Sequence, residues 1–235
     1  SLLFAPPGNA QSFCGGWQSA QTARDGMPAK TSARDFLPER LSLPALQAAA
    51  ANCRGCELYR DATQTVFGQG SARARIMLVG ETPGDQEDKQ GQPFVGPAGK
   101  LLREALSEAG LAAGETYLTN AVKHFRFEER GQRRLHKKPR WREITACQPW
   151  LEAEIAAVSP ELIVCLGATA AQSLLGKAFR ITKQRGEPVA SDWAPWILAT
   201  WHPSAVLRAP DAESRRTMRA ELVSDLRTGL EKIAH

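Results

Sequence analysis

No stretch of this chain is apolar over the roughly 20 residues that a bilayer-spanning helix needs. Residues 1–7 are apolar but have no basic residues ahead of them, which predicts no signal peptide. Together these absences predict a cytoplasmic protein with no membrane partner. The cysteines number five, and an odd count in an intracellular chain argues against a disulfide framework. There is no Gly-x-Ser-x-Gly elbow, which removes a general serine hydrolase. Neither the Rossmann nor the P-loop glycine spacing occurs, and there is no internal repeat. Histidine is scarce as well. There are four, and one of them, His235, is the last residue.

Net charge is a modest +5, but it is unevenly spread. Residues 123–142 hold nine Lys/Arg against Glu128 and Glu129, so this segment is strongly cationic and the remainder slightly anionic. A basic loop on a near-neutral body reads as a phosphate-contacting element rather than a merely solvated one.

With 43% hydrophobic and 23% charged residues, the chain can build one globular domain with a proper core. Residues 1–40, rich in Gly, Pro, Ala, Ser and Gln, read as a flexible tail or a linker from a longer fused protein. The domain proper is expected over 41–235. Buried strands are predicted at 75–79, 117–122, 162–166 and 196–200. Helices are predicted at 43–51, 101–109, 141–158, 168–175 and 214–233. Strands alternating with helices give an α/β fold, a three-layer α/β/α sandwich around a four-stranded, mostly parallel sheet. Sites in such sheets lie at the carboxyl ends of the strands. Four segments are gathered there: the loop after Val79, residues 120–123, Gly167, and residues 200–208.

Four groups could carry chemistry. The Gly-rich loop from Gly80 to Gly99 holds Glu81 and Asp85, and its glycines allow close backbone approach to a ligand. Its end at Gly99 opens a helix whose amides could hold an anion. His202-Pro-Ser204, running on to Val206, Leu207 and Arg208, combines a rigid turn with an apolar wedge and a cation, a combination suited to unstacked DNA. His136 follows Arg133, Arg134 and Leu135 and precedes Lys137 and Lys138. Such a cluster favours neutral imidazole, the nucleophilic form, although a lone His in a basic loop is more often a phosphate contact. Cys53 and Cys56, with Cys147 and His124, could hold zinc or an iron–sulfur cluster, and spacing does not separate the metals. Cys165, mid-strand among aliphatics, reads as core, with a place in reserve as the fourth ligand.

Taken in order, Cys53-Arg-Gly-Cys56, Gly80-Glu-Thr-Pro-Gly84, Pro93-Phe-Val-Gly96, Thr119-Asn-Ala-Val-Lys123, Cys147-Gln-Pro-Trp150 and His202-Pro-Ser204 resemble the iron–sulfur (family 4) uracil-DNA glycosylases over about residues 50–230. Within that superfamily the chain is most similar to the UdgX branch, on two features: His124 directly after Lys123, where ordinary members carry Cys, and a basic insertion ending in His136. The resemblance implies a 4Fe-4S cluster on Cys53, Cys56, Cys147 and His124, and a covalent bond from His136 to the deoxyribose once uracil has left. Thr82 stands where that branch carries Gln and ordinary members Ala, which implies a pocket of different polarity.

On this reading the partner is uracil-containing DNA, preferably single-stranded, met by a monomeric protein. The base must be extruded or met unpaired. Phe94 would stack on it and Asn120 would read its Watson–Crick edge. His202 and the amides of the loop carrying Gly80, Thr82, Gly84 and Asp85 would stabilise charge on the leaving uracil. Glu81 would orient His136 or take its proton. Arg134 would hold its loop through a phosphate. Arg133, Lys137, Ser204, Leu207 and Arg208 would contact DNA.

Overall fold

The structure is a computed structural model, and it describes residues 32–111 and 113–234. In chain order the strands are β1 (Gln69–Gly70), β2 (Ile76–Gly80), β3 (Thr116–Asn120), β4 (Phe127–Arg130), β5 (Arg133–His136), β6 (Leu162–Leu166) and β7 (Trp196–Thr200). The helices are α1 (Leu43–Ala50), α2 (Asp85–Gln90), α3 (Pro97–Ala109), α4 (Trp141–Val158), α5 (Ala168–Leu175), α6 (Ile181–Gln184), α7 (Pro203–Leu207) and α8 (Ala212–Glu231).

The main sheet runs in the order β1-β3-β2-β6-β7. Its β3, β2, β6 and β7 are parallel, and β1 adds an antiparallel edge. Strands β2 and β6 are buried at every position, as expected for central strands covered on both faces. The alternation of side chains sorts the two faces. Met77, Val79, Ile163, Cys165, Ile197 and Ala199 pack with α4 and α5 residues such as Leu151 and Leu174. Ile76, Leu78, Leu162, Val164 and Leu198 pack against Leu102, Leu106, Val206 and Leu222 on the opposite side. The result is the three-layer sandwich, with Cys165 in its core.

Three details differ from the sequence reading. The sheet has five strands, because a two-residue edge is too short to leave a periodic signal. The basic segment is not a loop but a hairpin, β4 paired with β5, in which Phe127 faces His136. Its two-residue turn is Gly131–Gln132, and Gly131 has φ +60°, the sign that the first central position of a type II′ turn requires. The Gly-rich loop contains the short helix α2, and the next helix starts at Pro97 rather than at Gly99.

At the amino end, residues 1–31 of the expected tail lie outside the described residues. Residues 32–40, assigned to that tail, include a 3-10 turn at Ala33–Phe36. Ala33 is buried in a third apolar cluster with Leu46, Cys53, Val122, Cys147 and Trp150.

Candidate active site

Glu81 is the residue after β2, and its pose is fixed from the far side of the strand end. Thr169, in the first turn of α5, donates its hydroxyl to Glu81 Oε2. That leaves Oε1 facing the hairpin, 4.0 Å from His136 Nε2. The two are brought together because β5 ends at His136 after folding back over Phe125, whose ring lies 6.0 Å from the imidazole. The His136 side chain keeps 46% of its surface exposed, so the ring remains accessible to a ligand.

The hairpin is pinned by Arg134. Its Nε donates to Asp85 Oδ1 at 2.7 Å and its Nη1 to Asp88 Oδ2 at 2.7 Å, both on α2. Its guanidinium also lies over the rings of Phe125 and Phe127 at 5.4 and 5.0 Å, a cation–π arrangement. Asp88 is fully buried and also accepts from the Thr63 amide and hydroxyl. The phosphate expected to engage Arg134 is therefore replaced by two carboxylates of the protein itself.

Asp85, expected as a catalytic group, does not line the cavity. Arg134 and Lys89 occupy its oxygens and hold its pKa below the usual carboxylate range, Lys89 most of all. The Gly84 amide, expected to face a ligand, donates to Glu87 Oε2 at 3.1 Å. The Thr82 hydroxyl donates to the His124 carbonyl at 2.8 Å, inside the protein.

His202 caps α7. The Ser204 amide donates to His202 Nδ1 at 3.1 Å, which requires that nitrogen to be unprotonated and leaves the ring N–H on Nε2. Burial, with His136 and Arg208 adding positive charge nearby, pushes its pKa down to about 4, so the ring is neutral at pH 7. His136 is lowered from its ordinary value as well, chiefly by burial and also by Arg208, with Glu81 opposing.

A cavity of about 230 Å³ opens between these groups, lined among others by Glu81, His136, Thr169, His202, Ser204 and Arg208. Phe94 and Asn120, expected to hold the base, are not among the residues that line this cavity; both are buried and stand together beside Gly80. A Cβ on Gly80 would overlap the Asn120 amide oxygen and come within 2.7 Å of the Phe94 ring. The Phe94 ring is stacked on His202, centroids 6.4 Å apart and planes 28° from parallel. Phe94 has φ +56°, a strained value for a non-glycine residue, and its carbonyl accepts from Arg103 at 2.9 Å.

Of the residues expected on DNA, Ser204 and Arg208 line the cavity and Leu207 is exposed beside them. Arg133 is exposed at the start of β5, and Lys137 pairs with Glu128. Sequence reasoning missed Thr169, Thr63 and Asp88. Only Thr169 carried a signal, standing two residues past Gly167 at a strand end.

Cys53, Cys56 and Cys147 belong to one region, each within electrostatic reach of another. Burial pushes Cys56 up to about 11, with Cys53 adding to the shift. It pushes Cys147 higher still, with Cys56 and Cys53 contributing. Trp150 Nε1 donates to Cys53 Sγ at 3.2 Å, and the Lys123 amide donates to Cys147 Sγ at 3.3 Å. The His124 ring is neutral, its pKa lowered to about 4 by burial, and it lies 2.9 Å from the Thr65 hydroxyl. Among the described residues no three His, Cys, Asp or Glu side chains stand at metal-binding geometry. Cys165 sits in the sheet core, and burial alone raises its pKa to about 12, with no other thiol contributing.

Loops at the carboxyl edge of a parallel sheet that gather a carboxylate, two neutral imidazoles and a buried amide beside an aromatic ring place the chain among α/β proteins with an acid–base site at the strand tips. Comparison with known proteins makes the class specific. Residues 67–227 match the Uracil DNA glycosylase superfamily, and the chain belongs to it. The Type-4 uracil-DNA glycosylase of Thermotoga maritima is 39% identical over 173 residues, covering 72% of this chain and 85% of that protein. The Type-4 uracil-DNA glycosylase of Pyrobaculum aerophilum is 33% identical over 193 residues, covering 79% and 92%.

Proposed function

We propose that the chain removes uracil from DNA and that His136 then bonds to the sugar it leaves behind. Family membership supports the excision. The observation that carries the capture is the His136 imidazole in the same cavity as Glu81 and His202, with Nε2 4.0 Å from the Glu81 carboxylate.

In this reading Phe94 stacks on the extruded uracil and Asn120 meets its polar edge. The bond from uracil N1 to C1′ breaks, and its electron pair leaves with the base. His202 Nε2–H donates to the uracil oxygen on which charge grows, a contact of a kind that can contribute about 3–4 kcal/mol. The lone pair of neutral His136 attacks the electron-poor C1′, and Glu81 balances the positive charge that develops on the ring. Uracil takes its proton afterwards from water. DNA would be held unpaired, since the base must leave its stack.

Mixing the protein with uracil-containing single-stranded DNA should give a shifted band that survives heat and SDS on a denaturing gel. In His136→Ser the band should disappear while free abasic product persists. A band that survives the substitution removes His136 as the nucleophile, and free abasic product without a band from the unaltered protein leaves plain turnover. The pH dependence follows from the same group. Only the neutral ring attacks, and its pKa lies below the ordinary 6.5. The rate of adduct formation should therefore be flat from pH 8 through about 6.5 and fall only below that. A midpoint above the ordinary histidine value in single-turnover time courses contradicts the assignment.

The three neighbouring thiols suit an iron–sulfur cluster. Burial raises the pKa of Cys56 and Cys147, the nearby thiols adding to the shift, and N–H donors already face the sulfurs of Cys53 and Cys147, as around cluster thiolates. Cys53, Cys56, Cys147 and His124 would hold it. The cluster would tie the amino-terminal segment to the core and supply no redox step. Cys147→Ser should yield protein without the visible absorbance of a 4Fe-4S cluster and with a lowered thermal midpoint. Unchanged colour would remove Cys147 from the ligand set.

A further inference from the structure

The rim of the cavity continues outward on two cationic segments. Residues 137–142 and 177–185 carry eight Lys/Arg and no Asp or Glu. Lys138 and Ile181, one from each segment, line the cavity. Three residues beyond Lys138 is Trp141, and four before Ile181 is Lys177, whose Nζ lies 4.4 Å from the centre of the Trp141 ring. The two segments therefore meet just outside the cavity mouth.

Trp141 is unusual in this protein. It is the one tryptophan exposed among the described residues. The indole N–H groups of Trp150, Trp193 and Trp201 each donate to a protein acceptor. Trp141 has no such bond among the described residues, nor has Trp196, but Trp196 is half-buried and Trp141 is exposed. Both supports beneath it are fixed. Arg126 donates to the Lys138 carbonyl and Pro139 is buried, which sets the chain's approach to Trp141. Arg180 donates to the carbonyls of Lys177, Ala178 and Phe179, which sets the turn carrying Lys177. Lys138, Lys177 and Lys183 are exposed and make no ion pair among the described residues. An exposed aromatic ring on a rigid support, with Lys177 over one face, flanked by cations that make no ion pair among the described residues and continuous with a nucleotide-sized cavity, has the composition of a single-strand track. Phosphates follow the cations, and a base stacks on the ring.

We propose that Trp141, with Lys177 and Lys138, forms a stacking platform for an unpaired base of the DNA strand flanking the nucleotide in the cavity. The proposal rests on the reading of the cavity as a nucleotide site. A duplex cannot use the platform, because its bases are already stacked and present only their edges. The platform thus favours single-stranded over double-stranded DNA at a place remote from the reacting atoms.

The test uses the whole chain as isolated and two uracil-free probes, a labelled single strand and the corresponding duplex, titrated by fluorescence anisotropy at matched salt concentrations. Trp141→Ala should weaken single-strand binding by about 5- to 100-fold, and Trp141→Phe by only a few-fold. Duplex binding should stay unchanged in both. Lys177→Gln should reduce the slope of log affinity against log salt on the single strand by about 0.7. On a uracil-containing single strand under single-turnover conditions, Trp141→Ala should raise the protein concentration for half-maximal excision rate by the same factor as the binding loss and leave the maximal rate alone. Unchanged single-strand affinity in Trp141→Ala overturns the platform, and so does an equal loss on both probes. If uracil excision is absent from the unaltered protein while single-strand binding still depends on Trp141, the platform stands and the reading of the cavity falls.

Discussion

Replacing Glu154 by leucine is expected to lower the unfolding free energy by about 3–5 kcal/mol, because it leaves the ammonium of Lys123 buried without its counter-charge. Both side chains are completely inaccessible to water, and they form a direct ion pair. Lys123 Nζ also donates to the Thr119 hydroxyl at 2.6 Å and the Asn120 carbonyl at 2.8 Å, so its three N–H groups are all used. Glu154 Oε1 accepts from the Gly68 amide, the Tyr117 hydroxyl and the Thr119 hydroxyl. The network joins α4, β3 and the segment leading into β1. It also joins the two halves of the site. Lys123 holds the Asn120 backbone through its side chain, and its own amide donates to Cys147. An apolar pair of similar volume often matches or exceeds a buried ion pair in stability. The double variant Lys123→Met/Glu154→Leu should therefore recover part of the loss in a denaturant titration, the Gly68, Tyr117 and Thr119 donors remaining without their acceptor. Its excision rate should stay depressed, since the Asn120 carbonyl has lost its donor. Full recovery of activity along with stability would show that the pair does not position Asn120.

This network illustrates which parts of the molecule sequence can disclose. The strands at Leu162–Leu166 and Trp196–Thr200 coincide with the expected runs, because a short aliphatic run between turn residues has few other uses. The hairpin did not show, because Phe127–Arg130 and Arg133–His136 are polar on both faces and have no period to find. Helix α2 hid inside a glycine-rich segment, six polar residues long. The site divides in the same way. Placing active groups at strand ends followed from the α/β pattern, which put Glu81 and His202 in one neighbourhood. The approach of His136 to Glu81 depends on Arg134 reaching two aspartates on α2, a tertiary contact with no local signature. Only the resemblance suggested it. The ion pairs of Asp85 with Arg134 and Lys89 were hidden for the same reason, since an acid in a glycine loop shows no partners in the sequence.

Gly99→Ala is expected to lower the second-order rate constant of single-turnover uracil excision from single-stranded DNA by about 100-fold, the scale of loss that a displacement near 1 Å can cause. The reason is steric. A Cβ at position 99 would overlap the Phe94 carbonyl oxygen and stand 2.8 Å from Phe94 Cα, and backbone cannot rotate away as a side chain can. Phe94 is already held at φ +56°, between the Arg103 hydrogen bond to its carbonyl and its own stacking on His202. Relief of the overlap must move the Phe94 backbone, and with it the ring proposed to stack on uracil. Overpacking of this kind also costs about 1–3 kcal/mol of stability, so activity alone does not isolate the effect. Gly110 supplies the control. It has φ +93°, and a Cβ there meets nothing within 4 Å. Gly110→Ala should thus lose a comparable 1–3 kcal/mol, through backbone strain alone, while excising uracil at the unaltered rate. If the two variants fall equally in stability and equally in single-turnover excision rate, the loss at Gly99 reflects general destabilisation, and the ring of Phe94 has no special part in holding the base.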